Sequence, residues 1–196
     1  MWLIVAIIFV LFFALYPYTS RVLARRRTLR ALGRAVRQHG GKLRLLRKIP
    51  SLADNFSRKP DMWIRCGGVQ YIVKLWIPKH HRADLRIRRD GKVRESFRVQ
   101  TPLSPKQEKH THAVLGLWRR LPKPIGNRGS RVKQSTQRIS VLLVSPPYAR
   151  MLQQEEGYWR ELGGGDRLGN WVVHTPASFA SVLYDRSQKN DGTKPT

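Results

Sequence analysis

Residues 61–77, DMWIRCGGVQYIVKLWI, decide the fold. Two runs rich in β-branched and aromatic residues, 61–66 and 69–77, stand on either side of Gly67-Gly68. Such side chains fit a pleated, half-buried surface, and a two-residue glycine turn suits a tight hairpin. The stretch therefore reads as two antiparallel strands. Outward from it, 84–89 and 92–99 flank Asp90-Gly91, a second hairpin signal with charged faces. The run ISVLLV at 139–144, closed by Pro146-Pro147, suits a strand buried on both faces. Residues 171–174 read as another strand. Thr175-Pro176 then supplies an N-cap and first-turn proline for a helix to about Tyr184. Residues 42–49 read as a short strand. Residues 101–138 hold four prolines among scattered small and basic residues and read as largely irregular, mobile around 122–136. The polar end, 186–196, reads as a disordered tail. The order predicts a mixed α/β domain over 41–185, with helices flanking one sheet.

Charge is the dominant compositional fact. The 196 residues include 38 Lys and Arg against 12 Asp and Glu, a formal net charge of +26. Such a chain attracts polyanions: nucleic acid, anionic lipid or an acidic protein. Cys66 is the single cysteine, which excludes an intrachain disulfide and favours a reducing compartment.

The first residues, MWLIVAIIFVLFFALY at 1–16, carry no side-chain charge, and the next charge is Arg21. Twenty helical residues at about 1.5 Å each reach roughly 30 Å, the thickness of a bilayer's hydrocarbon core. Trp2, Tyr16 and Tyr18 sit where interfacial aromatics belong, and no basic n-region precedes the run as a signal peptide requires. Residues 1–20 are thus expected to be a transmembrane anchor. The arginines that follow it place the N-terminus outside and the C-terminal domain in the cytoplasm, at the cell membrane.

Residues 21–38 have helical spacing and form a basic helix over 21–40 that stops at Gly40-Gly41. Val22, Leu29, Leu32 and Val36 fall on one arc, while Arg26, Arg27, Arg30, Arg34 and Arg37 gather on another. Together with Arg21 and Arg25 these arginines are the candidate polyanion-binding residues, with anionic lipid headgroups as one partner. The other reading packs the apolar stripe on the chain's own domain and leaves the arginines solvated. A basic residue beside an anionic surface contributes about 1 kcal/mol, fading over roughly 8 Å. On a helix rising straight from a bilayer, Arg37 would stand about 24 Å out and contribute nothing.

Catalytic motifs are mostly absent: the chain has no GxxxxGK[ST], GxGxxG, GxSxG or HExxH. Gly163-Gly164-Gly165-Asp166 lacks the lysine of a phosphate cradle and reads as a turn. His80-His81, His110, His112 and Cys66 lack the paired spacing of a zinc site. One constellation remains. Pro60-Asp61 opens the first strand of the central hairpin, and Ile72-Val73-Lys74 lies on the second. This resembles the PD-(D/E)xK signature of restriction-endonuclease-like nucleases, including membrane-tethered nuclease-related domains. The resemblance implies a restriction-endonuclease-like core over roughly 22–184. It makes Asp61 a metal-binding carboxylate and Lys74 the group that orients the attacking water. The sequence departs from the pattern at Ile72, where the second carboxylate belongs, and Glu95 on the following hairpin is the acidic residue able to replace it.

The leading functional expectation is a membrane-anchored, non-enzymatic basic module binding a polyanion or a partner protein, without cofactor. The alternative is a metal-dependent PD-(D/E)xK nuclease built on Asp61 and Lys74. Trp63, Tyr71 and Trp76, interleaved with Arg65, Lys74 and Lys79, would favour nucleic acid if exposed, because bases stack on aromatic faces.

Overall fold

The computed structural model describes residues 2–46, 54–79, 82–100, 110–124 and 137–191. The chain opens with α1 (Trp2–Gln38), followed by β1 (Lys42–Leu45), a 3-10 turn (Asp54–Phe56), β2 (Met62–Cys66) and β3 (Val69–Trp76). Next come β4 (Asp84–Ile87), β5 (Lys92–Gln100), β6 (His110–Arg120) and β7 (Arg138–Val144). The chain continues through β8 (Arg150–Gln154), β9 (Trp159–Glu161), β10 (Arg167–Leu168) and β11 (Trp171–His174) to α2 (Pro176–Asp191).

The strands build two mixed sheets, in the orders β1-β2-β3-β7-β11-β10 and β6-β5-β4-β8-β9. In the first, β1, β2 and β3 form an antiparallel meander, and β3, β7 and β11 run parallel. Period-two alternation along β3 sorts its side chains. Tyr71, Val73 and Leu75 join Leu32 and Val36 of α1 and Phe179 and Leu183 of α2 in one core. Trp76, with Leu142, Val144, Trp171 and Val173, faces Leu85, Ile87, Val93 and Met151 of the second sheet in another. The result is three layers: two helices, the six-stranded sheet, and the five-stranded sheet.

Local chemistry explains the junctions. Gly67 and Gly68 both take positive φ at the β2–β3 turn, and a Cβ on Gly67 would stand 2.7 Å from the Arg186 carbonyl of α2. Only glycine lets that helix lie so close. The Thr175 hydroxyl accepts the Ser178 N–H at 3.2 Å, and Ser178 Oγ accepts the Thr175 N–H at 3.0 Å, a reciprocal N-cap for α2. Pro176 follows as the first helical residue. α2 runs past Tyr184 to Asp191, because Phe179 and Leu183, one turn apart, both bury on the sheet. Residues 192–196 lie outside the described residues.

Two expectations are corrected. The transmembrane anchor at 1–20, its orientation and the cell-membrane location do not stand: among the described residues, no helix is long and apolar enough to cross a membrane. The expected boundary at residue 20 is absent as well. α1 is one 37-residue helix that does not break at Pro17 or Ser20, so the arginine-bearing half belongs to the same rod as the apolar start. That half packs on the sheet through Leu32 and Val36. The single sheet flanked by helices is also corrected. Both helices of the described residues cover one face, and a second sheet covers the other. Strand β6 lies within the segment expected to be irregular, where Pro102, Pro105, Pro122 and Pro124 border the strand rather than interrupt it. Residues 101–109 and 125–136 of that segment lie outside the described residues.

Candidate functional site

Asp61 and Lys74 meet. Asp61 precedes β2, Lys74 lies near the carboxyl end of β3, and Lys74 Nζ stands 3.3 Å from Asp61 Oδ2. A third partner arrives from α1: Arg25 Nη1 donates to Asp61 Oδ1 at 3.1 Å. The Leu75 N–H donates to Oδ2 at 2.9 Å. All three side chains are buried, with relative exposures of 3% for Arg25, 0% for Asp61 and 1% for Lys74. One turn along α1, Thr28 Oγ1 lies 2.7 Å from Ser145 Oγ, just past β7. The cluster thus sits at the carboxyl ends of the parallel strands β3 and β7, the usual location for sites in open α/β sheets.

Its chemistry differs from that of a metal centre. A hard divalent cation needs several oxygen ligands. A carboxylate offers about four lone-pair positions, and three donors already occupy Asp61, two of them cationic. Ile72, on the same face of β3 as Lys74, lies between Trp63 and Ser140 of the neighbouring strands and presents an alkyl group. Glu95 does not supply the missing carboxylate. It lies on the second sheet, where its Oε1 accepts the Tyr148 hydroxyl at 2.6 Å and the Lys79 N–H at 3.1 Å. Among the described residues, no three His, Cys, Asp or Glu side chains are grouped to hold a metal. Cys66 is buried, its thiol directed at the His39 and Leu183 carbonyls, and burial raises its pKa. His80-His81 and the side chains of His110 and His112 lie outside the described residues.

Glu95 anchors a second polar network. Tyr148 donates to it and accepts the Trp76 Nε1–H at 2.8 Å. Burial, then the facing carboxylate, push the Tyr148 phenol well above its usual pKa. Beside this network a cavity of about 290 Å³ opens between the two sheets, lined by Phe56, Trp76, Leu85 and Val93 with Asn55, Lys79, Arg94, Glu95, Leu117 and Arg119.

The α1 arginines divide. Arg25 turns inward to Asp61, whereas Arg26, Arg27, Arg30, Arg34 and Arg37 are exposed and Arg21 is half-buried. Of the aromatic residues expected to stack, Tyr71 and Trp76 are core, and only Trp63 is partly open, with Arg44 at 6.0 Å from its ring.

The outer face of the second sheet holds the arrangement the sequence did not disclose. Leu85, Ile87 and Val93 point into the core, so Arg86 and Arg94 point away from it. Arg88 and Arg94 each place their guanidinium carbon 4.3 Å from the centroid of Trp118. Arg86 lies 5.2 Å from that of Trp159, which is 37% exposed. The neighbouring acids are matched by other cations: Asp84 by Arg150, Asp90 by Lys92, Glu155 by Arg160 and Glu156 by Arg89. Among the described residues no carboxylate pairs with Arg88 or Arg94. The available signal was faint: arginines at 86, 88 and 94 with Trp118, residues that only the β4–β5–β6 pairing brings together.

Comparisons with protein-family models, with curated proteins and with solved structures return no match.

Proposed function

We propose that this chain is a non-catalytic module that binds single-stranded nucleic acid across the outer face of its second sheet. The observation that carries the reading is the pair of guanidinium groups over Trp118, each with its carbon 4.3 Å from the ring centroid. A guanidinium held over an aromatic ring by cation–π attraction loses little further freedom when it binds phosphate. Trp159, on the opposite edge strand of the same sheet, offers a face to a base, and base–aromatic stacking contributes about 1–3 kcal/mol per base without demanding a sequence. The net charge of +26 adds long-range attraction.

Equilibrium binding of the full chain to a labelled single strand, measured by fluorescence anisotropy across a salt series, tests this. Three phosphates neutralised by Arg86, Arg88 and Arg94 give a log–log salt slope of about −2, at roughly −0.7 per phosphate. Affinity then falls about twentyfold from 50 to 200 mM salt. No binding at 50 mM, or binding indifferent to salt, would remove the reading.

The 3.3 Å approach of Lys74 to Asp61 on neighbouring strands favours a second reading, a PD-(D/E)xK-like scaffold without its chemistry. On this reading Arg25 and Lys74 fill with positive charge the place where a nuclease holds its cation.

A further inference from the structure

We infer that the cavity between the two sheets is a pocket for one unpaired nucleobase bearing an exocyclic amine, recognised by the Glu95 carboxylate. The inference rests on the nucleic-acid reading above and adds base selectivity to it. Glu95 is about nine-tenths buried, with 9% of its surface exposed, and it lines the cavity. Its Oε1 is committed to Tyr148 and to the Lys79 N–H, while its Oε2 has no hydrogen-bond partner among the described residues. A buried acceptor left unmet is costly, so a ligand that donates to Oε2 recovers that cost on binding.

The rest of the lining narrows the donor. Phe56 and Trp76, edge-to-face at 5.2 Å, and the aliphatic side chains beside them supply an apolar wall for a flat, neutral group. Lys79 and Arg119 bring two positive charges to the same cavity. They disfavour a cationic ligand and favour one whose neutral donor end enters while an anionic end stays at the mouth. A nucleotide within a strand has that distribution of charge. Arg94 also stacks on Trp118, so the pocket adjoins the face assigned to the strand. Adenine, cytosine and guanine each carry an amino group for Glu95 Oε2. Thymine and uracil carry a carbonyl oxygen in place of cytosine's amine, and their one donor on that edge, the N3–H, lies between two carbonyls that repel an approaching carboxylate.

Cytosine and thymine have similar size and the same backbone charge, so they isolate the contact. Twelve-nucleotide oligo(dC) and oligo(dT), end-labelled, are titrated with the full chain at fixed salt. Oligo(dC) is expected to bind about tenfold more tightly. In Glu95→Gln, whose amide offers both a donor and an acceptor, the two affinities should converge to within about twofold while the salt slope stays unchanged. Equal affinities in the wild type with a steep salt slope overturn the pocket and leave strand binding intact. No binding of either oligonucleotide at low salt overturns both. A tenfold preference that survives Glu95→Gln also overturns the assignment. The wild-type comparison needs no variant, so misfolding of Glu95→Gln does not shield the proposal.

Discussion

Asp61→Ala probes the buried ion cluster most sharply. Asp61 neutralises Arg25 and Lys74, side chains that are 3% and 1% exposed, and also accepts the Leu75 N–H. Removing the carboxylate leaves two buried cations facing each other and one buried backbone donor unpaired. Breaking a buried pair from one side costs about 3–5 kcal/mol, against a total stability of roughly 5–15 kcal/mol for a domain. With a urea m-value of about 2 kcal/mol/M, the unfolding midpoint should drop by about 2 M. Asp61→Asn keeps an acceptor for Leu75 yet removes the negative charge that faces Arg25 and Lys74, so most of the loss should persist. Replacing the cluster together, as Asp61→Leu with Arg25→Met and Lys74→Met, removes all three of its charges at once. Apolar replacement of whole buried clusters is often neutral or stabilising, so the triple variant should regain most of the lost stability. Urea unfolding followed by tryptophan fluorescence reads all three variants. A loss below about 1 kcal/mol for Asp61→Ala, or a triple variant as unstable as the single, would refute the account of the cluster.

Incubated with Mg²⁺ or Mn²⁺, the protein should leave plasmid DNA and RNA uncut, because Asp61 already faces two cations and Ile72 supplies no ligand. Metal-dependent cleavage abolished by both Asp61→Ala and Lys74→Ala would restore the nuclease reading, and metal binding by Ile72→Glu would test the scaffold resemblance. Burial lowers the pKa of His174, so the folded state holds it neutral while the unfolded chain takes up a proton. Stability should therefore fall as pH drops through about 6.5, the ordinary histidine value, toward the lower folded value, and His174→Gln should flatten that fall in pH-dependent urea melts. An unchanged slope would show that His174 does not contribute. Native Cys66 should react with a thiol reagent only at the rate of local or global opening, and prompt reaction in the folded protein would contradict its burial.

Local signals were legible where a few neighbouring residues settle the backbone. Gly67-Gly68 fixed the β2–β3 turn, Thr175-Pro176 the start of α2, and the 139–144 run the interior strand β7. The meeting of Asp61 with Lys74 was accessible too, because antiparallel pairing of Met62 with Val73 sets them opposite. What escaped depends on distant partners. Arg25, read as one surface arginine among seven, turns inward because its turn of α1 crosses Asp61, thirty-six positions away. Glu95 left the Asp61 neighbourhood because β5 joins a second sheet, whose strand β6 lay in a proline-bordered basic segment without a clear period. The stacking of Arg88 and Arg94 on Trp118 exists only through that pairing. At the N-terminus, composition suggested a boundary near Ser20 that helical hydrogen bonding does not observe.

The central claim places a nucleic-acid strand on the outer face of the second sheet rather than on α1, and paired charge reversals decide between them. Single-strand affinity is measured across the salt series for the wild type, for Arg88→Glu with Arg94→Glu, and for Arg26→Glu with Arg30→Glu and Arg34→Glu. Losing two phosphate contacts should make the salt slope of the sheet variant shallower by about 1.4, while the helix variant keeps the wild-type slope. At about 0.15 M salt, where screening acts within roughly 8 Å, the helix variant should change affinity less than about twofold. Full retention of slope and affinity by the sheet variant, with the loss falling on the helix variant, would contradict the account.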